Sequence, residues 1–311
     1  MAVPNFSLRQ LGYLVAVADA GSMTAAAETE HVSQAAISMG IHDLEKRLGL
    51  QLLTRRPGHG VSLTESGVSV LEDARRVLSA STDLLSRSRA PGADLRGELN
   101  LGCFATLTPL YVPPLLGQFA VEHPAVKVNV VEGSMGDLSR AMSNGTCELA
   151  ITYEAGLSTG FAVEPIMALR PYALLPADHR LANADMITLT DLAEEPLVQY
   201  SFESPPGIEH KLREVGIEPR VVHSSPNIEV VRSLVARGVG WTPMAQRWPR
   251  DVSLEGLPLT CVPLGDLADQ PRVVVAWPEH DQLSRRSIAV IKFVRQVAKN
   301  MQRSSDGPSD A

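Results

Sequence analysis

The sequence predicts an α/β protein in three parts. These are an N-terminal winged helix-turn-helix over residues 1–63, a long linker helix over 64–90 and a C-terminal two-lobed α/β domain over 91–303, with a flexible tail at 304–311. Three observations carry this. Between Ser22 and Leu53 an alanine-rich helix, a break at Glu30 to Val32 and an amphipathic helix follow one another, the sequence form of a helix-turn-helix. From Thr64 onward Val68, Leu71, Ala74, Leu78, Thr82 and Leu85 recur at helical spacing, through about Ser88. Beyond Pro91 and Gly92, which mark a linker, short apolar runs alternate with amphipathic ones. That is βαβ grammar, and it implies a mostly parallel sheet covered on both faces.

In chain order, Leu8, Leu11, Val15 and Ala18 give a first helix, capped by Ser7 and ended by Gly21. Ser22 caps the second helix, where Ala25, Ala26 and Ala27 permit close approach. Ser33 caps the third, whose Ile37, Ile41, Leu44 and Leu48 form one buried face. Gln34, Ser38 and His42 lie four apart on another face, flanked by Ala35, Met39 and Lys46, at a length suited to base edges. The run TRRPGHGVSLTESG is rich in turn residues between two short extended pieces, as in a two-stranded wing, and places Arg55, Arg56 and His59 beside the DNA backbone. The stripe of the linker helix needs a partner, and the same helix of a second protomer is expected to supply it.

Composition limits the alternatives. The 311 residues suffice for about two domains, and 44% hydrophobic with 20% charged residues describes an ordinary globular protein. With no run of apolar residues long enough to span a bilayer and no leader pattern in MAVPNFSLRQL, no membrane partner and a cytoplasmic location are expected. Cys103, Cys147 and Cys261 match no metal-ligand spacing and are read as reduced, buried thiols. No nucleophile, base and orienting group cluster, and no HxxH or CxxC spacing occurs. Neither catalysis, a metal nor a cofactor is therefore expected. The net charge of −7 is unevenly divided: residues 1–90 hold 9 basic and 9 acidic side chains, the rest 19 against 26. A neutral head on an acidic body binds phosphate weakly, so several heads should act together.

In the second domain, strands are predicted over 98–104, 126–132, 149–152, 172–175, 197–200, 220–223, 241–243 and 272–277. Helices are predicted over 111–122, 138–144, 207–215, 228–236 and 283–301. Lobe I takes residues 97–167 and 271–301, lobe II 168–270, and two crossing strands leave a cleft between them. Ligands of such sheets sit outside the carboxyl ends of the strands. That geometry selects Cys103, Phe104, Thr106 and Leu107 after the first strand, Ser134 and Met135 after the second, and Ser201, Phe202, Trp241 and Thr242 in the opposite lobe. Arg232 and Arg237 could meet a carboxylate, with surface ion pairing as the alternative.

The motifs GSMTAAA at 21–27, VSQAAIS at 32–38, IHDLEKRLGLQLLTR at 41–55 and SLTESG at 62–67 resemble those of the LysR-type transcriptional regulators, and the resemblance continues to about Met301. It implies a bacterial DNA-binding regulator, dimeric or tetrameric, on an interrupted palindromic operator of double-stranded DNA. It also implies contact with RNA polymerase and a domain like periplasmic binding proteins that senses a small-molecule effector. Thr106 stands where such regulators place a Ser or Thr against the ligand. The chain departs from the family at Ala35, usually proline, at Met39, usually arginine, and at Glu30, usually a packed leucine. Glu30 is therefore expected to be partly exposed or paired with a cation such as Arg9. The alternatives are a regulator without a ligand, or redox sensing through Cys103, for which Cys261 does not supply the second cysteine of the family's peroxide sensors.

Overall fold

The computed structural model describes residues 5–56, 60–87, 95–202, 212–265 and 270–305. In the head, α1 (Leu8–Ala20), α2 (Met23–Thr29) and α3 (Gln34–Leu48) are followed by a hairpin of β1 (Leu53–Arg56) and β2 (Gly60–Leu63), then by α4 (Glu65–Arg87). The caps lie where the sequence puts them. Ser7 forms a capping box with Gln10, Ser22 accepts from the Ala25 N–H, and Ser33 accepts from the Ala36 N–H at 3.1 Å. Gly21 ends α1 at φ 63°, a left-handed conformation that costs glycine least. The buried face of α1 is Leu11, Tyr13, Leu14 and Val17, whereas Leu8 is exposed, so the predicted stripe is rotated. Tyr13 is drawn inward because Gly40 of α3 leaves room for its ring: a Cβ there would lie 2.6 Å from Tyr13 Cδ2.

The linker helix corrects a second expectation. Leu71 and Ala74 are buried in the head core, with Leu78 packed against it, so the middle of the predicted stripe is covered within its own chain, whereas Val68 at its start is exposed. The face left open beyond the head is Val77 and Leu84, seven residues apart with Ala80 between, whereas Val70 packs against the head core. Val77 is 43% and Leu84 70% exposed. Leu85 carries no described side chain, and residues 88–92, with the Pro91–Gly92 linker, lie outside the described residues.

Lobe I is built on a five-stranded sheet in the order β4 (Val126–Gly133), β3 (Gly97–Phe104), β5 (Leu149–Tyr153), β12 (Arg272–Pro278), β6 (Phe161–Ala168). β3 runs parallel to β4 and β5, but β12 runs antiparallel to both β5 and β6. Four of the five strands thus run in one direction, as expected, and the sheet is mixed only because β12 returns from lobe II against them. Around it pack α5 (Thr108–Pro114), a π turn at Leu115–Phe119, α6 (Ala120–Glu122) and α7 (Met135–Ser143). Pro113 and Pro114 lack the N–H groups that a regular helix would use there, and the π turn follows them.

Lobe II pairs β10 (Thr242–Met244), β7 (Tyr172–Pro176) and β11 (Leu259–Pro263) antiparallel, and β8 (Leu197–Tyr200) parallel to β9 (Val221–Ser225), with α8 (Ile228–Ala236) across them. The chain ends in α9 (Arg285–Ser305) on lobe I, whose Val290, Ile291, Val294 and Ala298 enter the lobe I core. Most of the predicted 207–215 helix lies outside the described residues. β6 and β11 were not predicted. No helix among the described residues is long and apolar enough to cross a membrane.

Candidate nucleic-acid interface and effector cleft

Opposite the buried Ile37, Ile41 and Leu44, helix α3 presents Gln34, Ala35, Met39, His42 and Lys46 to solvent, with Ser38 half-buried beside them. Met39 is 66% exposed, an apolar side chain in the middle of a polar face. Ser33 sits at the N-terminus of this face as its cap. Lys46 and Arg47 in the last turn complement the helix dipole. In the wing, Arg55 lies across from Val61 and Arg56 across from Gly60. His59 lies outside the described residues.

Two features of this head escaped the sequence reading. Glu45 Oε1 accepts from the backbone N–H groups of Leu52 at 2.8 Å and Leu53 at 3.2 Å, which fixes the start of the wing to α3. The turn between α2 and α3 is a Schellman motif: the Val32 N–H donates to the Ala27 carbonyl and the His31 N–H to that of Glu28. His31 takes the position that favours glycine, at φ 54°. We expect His31→Gly to stabilise the protein by about 0.5–1 kcal/mol, because a left-handed non-glycine residue costs about that much or more. Denaturant unfolding should show the gain with operator affinity unchanged. Glu30 beside it is exposed, and among the described residues no ion pair joins it to Arg9, so exposure alone accommodates the carboxylate.

At the carboxyl ends of the lobe I strands, Thr106 Oγ1 and Tyr153 Oη are 3.0 Å apart. Phe104 meets the Tyr153 ring edge-on at 5.2 Å and the Phe202 ring of lobe II at 5.8 Å, and Phe202 stacks on Tyr200 at 6.1 Å. Four rings, two from each lobe, thus close the cleft. Tyr153 and Tyr200 were not among the predicted residues, although each is the last residue of its strand. Burial pushes the Tyr153 and Tyr200 phenols up to about 12, so both stay protonated donors at neutral pH.

Ser134 caps α7 in a capping box with Asp137, whose carboxyl is held below its usual range by hydrogen bonds from the Ser134 hydroxyl and N–H. Met135 is buried, its sulfur 3.4 Å from Thr152 Oγ1. Ser201 is exposed, and its N–H donates to the Ser225 carbonyl. Cys103 and Leu107 lie wholly inside the lobe I core. Trp241 belongs to the interior of lobe II, packed with Leu197 and Val262, and Thr242 is also buried there. From that segment it is Ala245 that reaches the lobe I core, so the cleft wall lies a few residues beyond the predicted position. Burial pushes the Cys103 thiol up to about 12, which leaves almost no thiolate for oxidation and argues against redox sensing.

Comparison with known proteins follows this division. Residues 8–68 match the family model for the bacterial regulatory helix-turn-helix protein, lysR family, and residues 92–299 match the LysR substrate binding domain. The chain is 33% identical over 238 residues to the HTH-type transcriptional regulator TfdS of Cupriavidus pinatubonensis, covering 75% of this chain and 80% of that one. It is similar in structure to HinK, a LysR family transcriptional regulator from Pseudomonas aeruginosa, with 28% identity and a TM-score of 0.61 over 94% of this chain and 98% of the other. CbnR, solved in complex with its target DNA, shares the fold at a TM-score of 0.59 and 24% identity, over 94% of this chain and 100% of that one.

Proposed function

This chain belongs to the LysR family of DNA-binding transcriptional regulators and is not an enzyme, and on that premise we propose how its parts divide the work. Helix α3 enters the major groove, Gln34, Ser38 and His42 offer hydrogen bonds to base edges, and Arg55, Arg56, His59 and Lys46 meet the phosphates. The observation that carries this is the exposed polar face of α3 opposite its buried Ile37, Ile41 and Leu44. Ala35 and the exposed Met39 stand where the family carries proline and arginine. They offer apolar contact to thymine methyl groups instead of a guanidinium to guanine, so operator preference shifts away from that of arginine-bearing relatives.

Two copies pair through the open face of α4, where Val77, Ala80 and Leu84 form one seam, and a dimer or tetramer results. The small-molecule effector seats between the lobes, against Thr106, Tyr153, Ser134, Tyr200, Ser201 and Phe202, and separates Phe202 from Phe104 as it enters. It shifts the equilibrium to the extent that it binds the two lobe arrangements differently. The protein acts in the cytoplasm, and the altered DNA geometry is read by RNA polymerase.

A salt titration of the full chain on an operator fragment, selected by the protein from random duplexes, tests the DNA reading. About eight phosphate contacts from two heads make affinity fall by roughly three to five orders of magnitude between 50 and 200 mM salt. A flat response overturns it.

A further inference from the structure

The effector cleft and the DNA-reading head lie at opposite ends of lobe I, and one helix spans the distance. α7 is capped by Ser134, at the carboxyl end of β4 beside the cleft, and its nine residues rise about 14 Å. It ends at Ser143, and the turn Asn144, Gly145, Thr146 that follows abuts the linker helix α4. There two adjacent arginines of α4 take hold of it. Arg75 Nη1 donates to Thr146 Oγ1 at 2.7 Å and to the Asn144 carbonyl at 3.3 Å, while its Nη2 pairs with Asp19 at the end of α1. Arg76 Nη2 donates to the Ser143 carbonyl at 3.2 Å, and its Nε lies 3.7 Å from Asp281 of lobe I.

The C-terminal carbonyls of a helix carry partial negative charge and lack partners within it, so two guanidiniums there are well matched. The fit is close at the turn: Gly145 is at φ 68°, and a Cβ on it would come within 3.2 Å of Arg75 Cβ and 3.5 Å of the Glu72 carbonyl oxygen. Beside the clasp a cavity of about 460 Å³ opens between α4 and lobe I, lined among others by Ser79, Leu84, His280 and Leu283. The head and the sensor thus meet here through directional polar contacts next to open space, not through a packed apolar wall. Arg75 touches α1 of the head and lobe I of the sensor with the same guanidinium.

We propose that Arg75, assisted by Arg76, is the positioning residue that couples α7, and through it the effector cleft, to the orientation of the DNA-reading heads. It rests on α3 as the reading helix and on the dimer through α4. Neither arginine touches the effector or the base pairs. Their part is to hold the head at one angle to lobe I, so that a displacement of α7 becomes a displacement of the head.

The test uses the full chain and two operator fragments, one with the selected half-site spacing and one with that spacing lengthened by a few base pairs, plus a single half-site. We expect Arg75→Ala to leave half-site affinity unchanged and to lower the discrimination between the two spacings by about fivefold or more, the range of an allosteric coupling. Arg75→Lys should restore part of it, through Asp19. Thr146→Val, which removes the acceptor on lobe I without altering the head, should lower discrimination in the same direction and serves if Arg75→Ala does not fold. Unchanged discrimination in Arg75→Ala and Thr146→Val, with half-site affinity intact, overturns the coupling and leaves the DNA reading standing. Failure of the unmodified chain to bind the half-site at low salt is the separate failure of that reading and removes the coupling with it.

Discussion

Gly67→Ala is expected to lower the stability of the head by about 2–4 kcal/mol, toward the severe end for overpacking, and to abolish operator binding near physiological temperature. A Cβ at this position would lie 2.0 Å from the Leu52 carbonyl oxygen and 2.9 Å from its carbon, both backbone atoms that no rotamer change can move aside. The surroundings have little freedom to shift. Thr64 Oγ1 donates to the Gln51 carbonyl at 2.6 Å and accepts from the Gly67 N–H at 2.9 Å, and the Thr64 N–H donates to the same Leu52 carbonyl. Leu52 itself is fully buried. The start of α4 is thereby joined to the segment leaving α3, and adding one methyl group must push them apart. For a domain of this size each kcal/mol shifts the midpoint by several degrees, so a fall of about 10–20 °C in the head's thermal transition is expected. Gly12→Ala is the control: it lies inside α1 with nothing within 4 Å of its added Cβ, and it should be neutral or slightly stabilising. If Gly67→Ala unfolds no earlier than Gly12→Ala, the close approach of α4 to Leu52 is not a constraint.

The same residues show what could be read in advance. The helices of the head were legible because local chemistry sets their limits: Ser7, Ser22 and Ser33 each accept a backbone N–H, and Gly21 and Gly49 end α1 and α3 in left-handed conformations. The direction of the faces was less so. Periodicity shows that α4 has an apolar stripe but not what covers it, and Leu71 and Ala74 turned out to face α1 and the rest of the head. Strand direction carries almost no local signal, so β12 was placed in the sheet without its antiparallel sense. β6 was missed where Pro165 interrupts the run, at the point where its register against β12 shifts. In the cleft, strand ends identified Thr106 and Ser134 by position. Tyr153 and Tyr200 escaped because an aromatic at the end of a strand looks like core until the opposing lobe is placed. Glu45 and Arg75 were missed for a related reason: each acts on backbone groups distant in sequence, where no motif spacing reveals the pairing.

Arg232→Ala is expected to destabilise lobe II by about 2–4 kcal/mol, because it removes a buried guanidinium shared by two carbonyls and a partly exposed carboxylate and leaves a void. The sequence allowed Arg232 and Arg237 to be alike, two arginines on one helix suited to surface ion pairing, but the structure separates them. Arg237 forms an exposed pair with Glu255, a contact of little consequence. Arg232 is 2% exposed: its Nη2 donates to the carbonyls of Val252 at 2.7 Å and Arg250 at 3.3 Å, and its Nε lies 3.3 Å from Glu229 Oε1. Its guanidinium carbon sits 4.9 Å from the centre of the Trp248 ring. It therefore fastens α8 to the segment between β10 and β11, and truncation leaves two carbonyls without this donor, Glu229 without its cation and a void beneath α8. Arg232→Met separates volume from charge: it refills most of the void, so a cost well below that of alanine would assign the loss mainly to packing. Equal costs would assign it to the carbonyls and Glu229. Trp241 and Trp248 lie in lobe II and the third tryptophan, Trp277, in β12 of lobe I, so denaturant unfolding followed by tryptophan emission in a Trp277→Phe background reports on lobe II. A loss below about 1 kcal/mol for Arg232→Ala would mean that water replaces the guanidinium, and that α8 is held by its apolar face, chiefly Val231 and Val235.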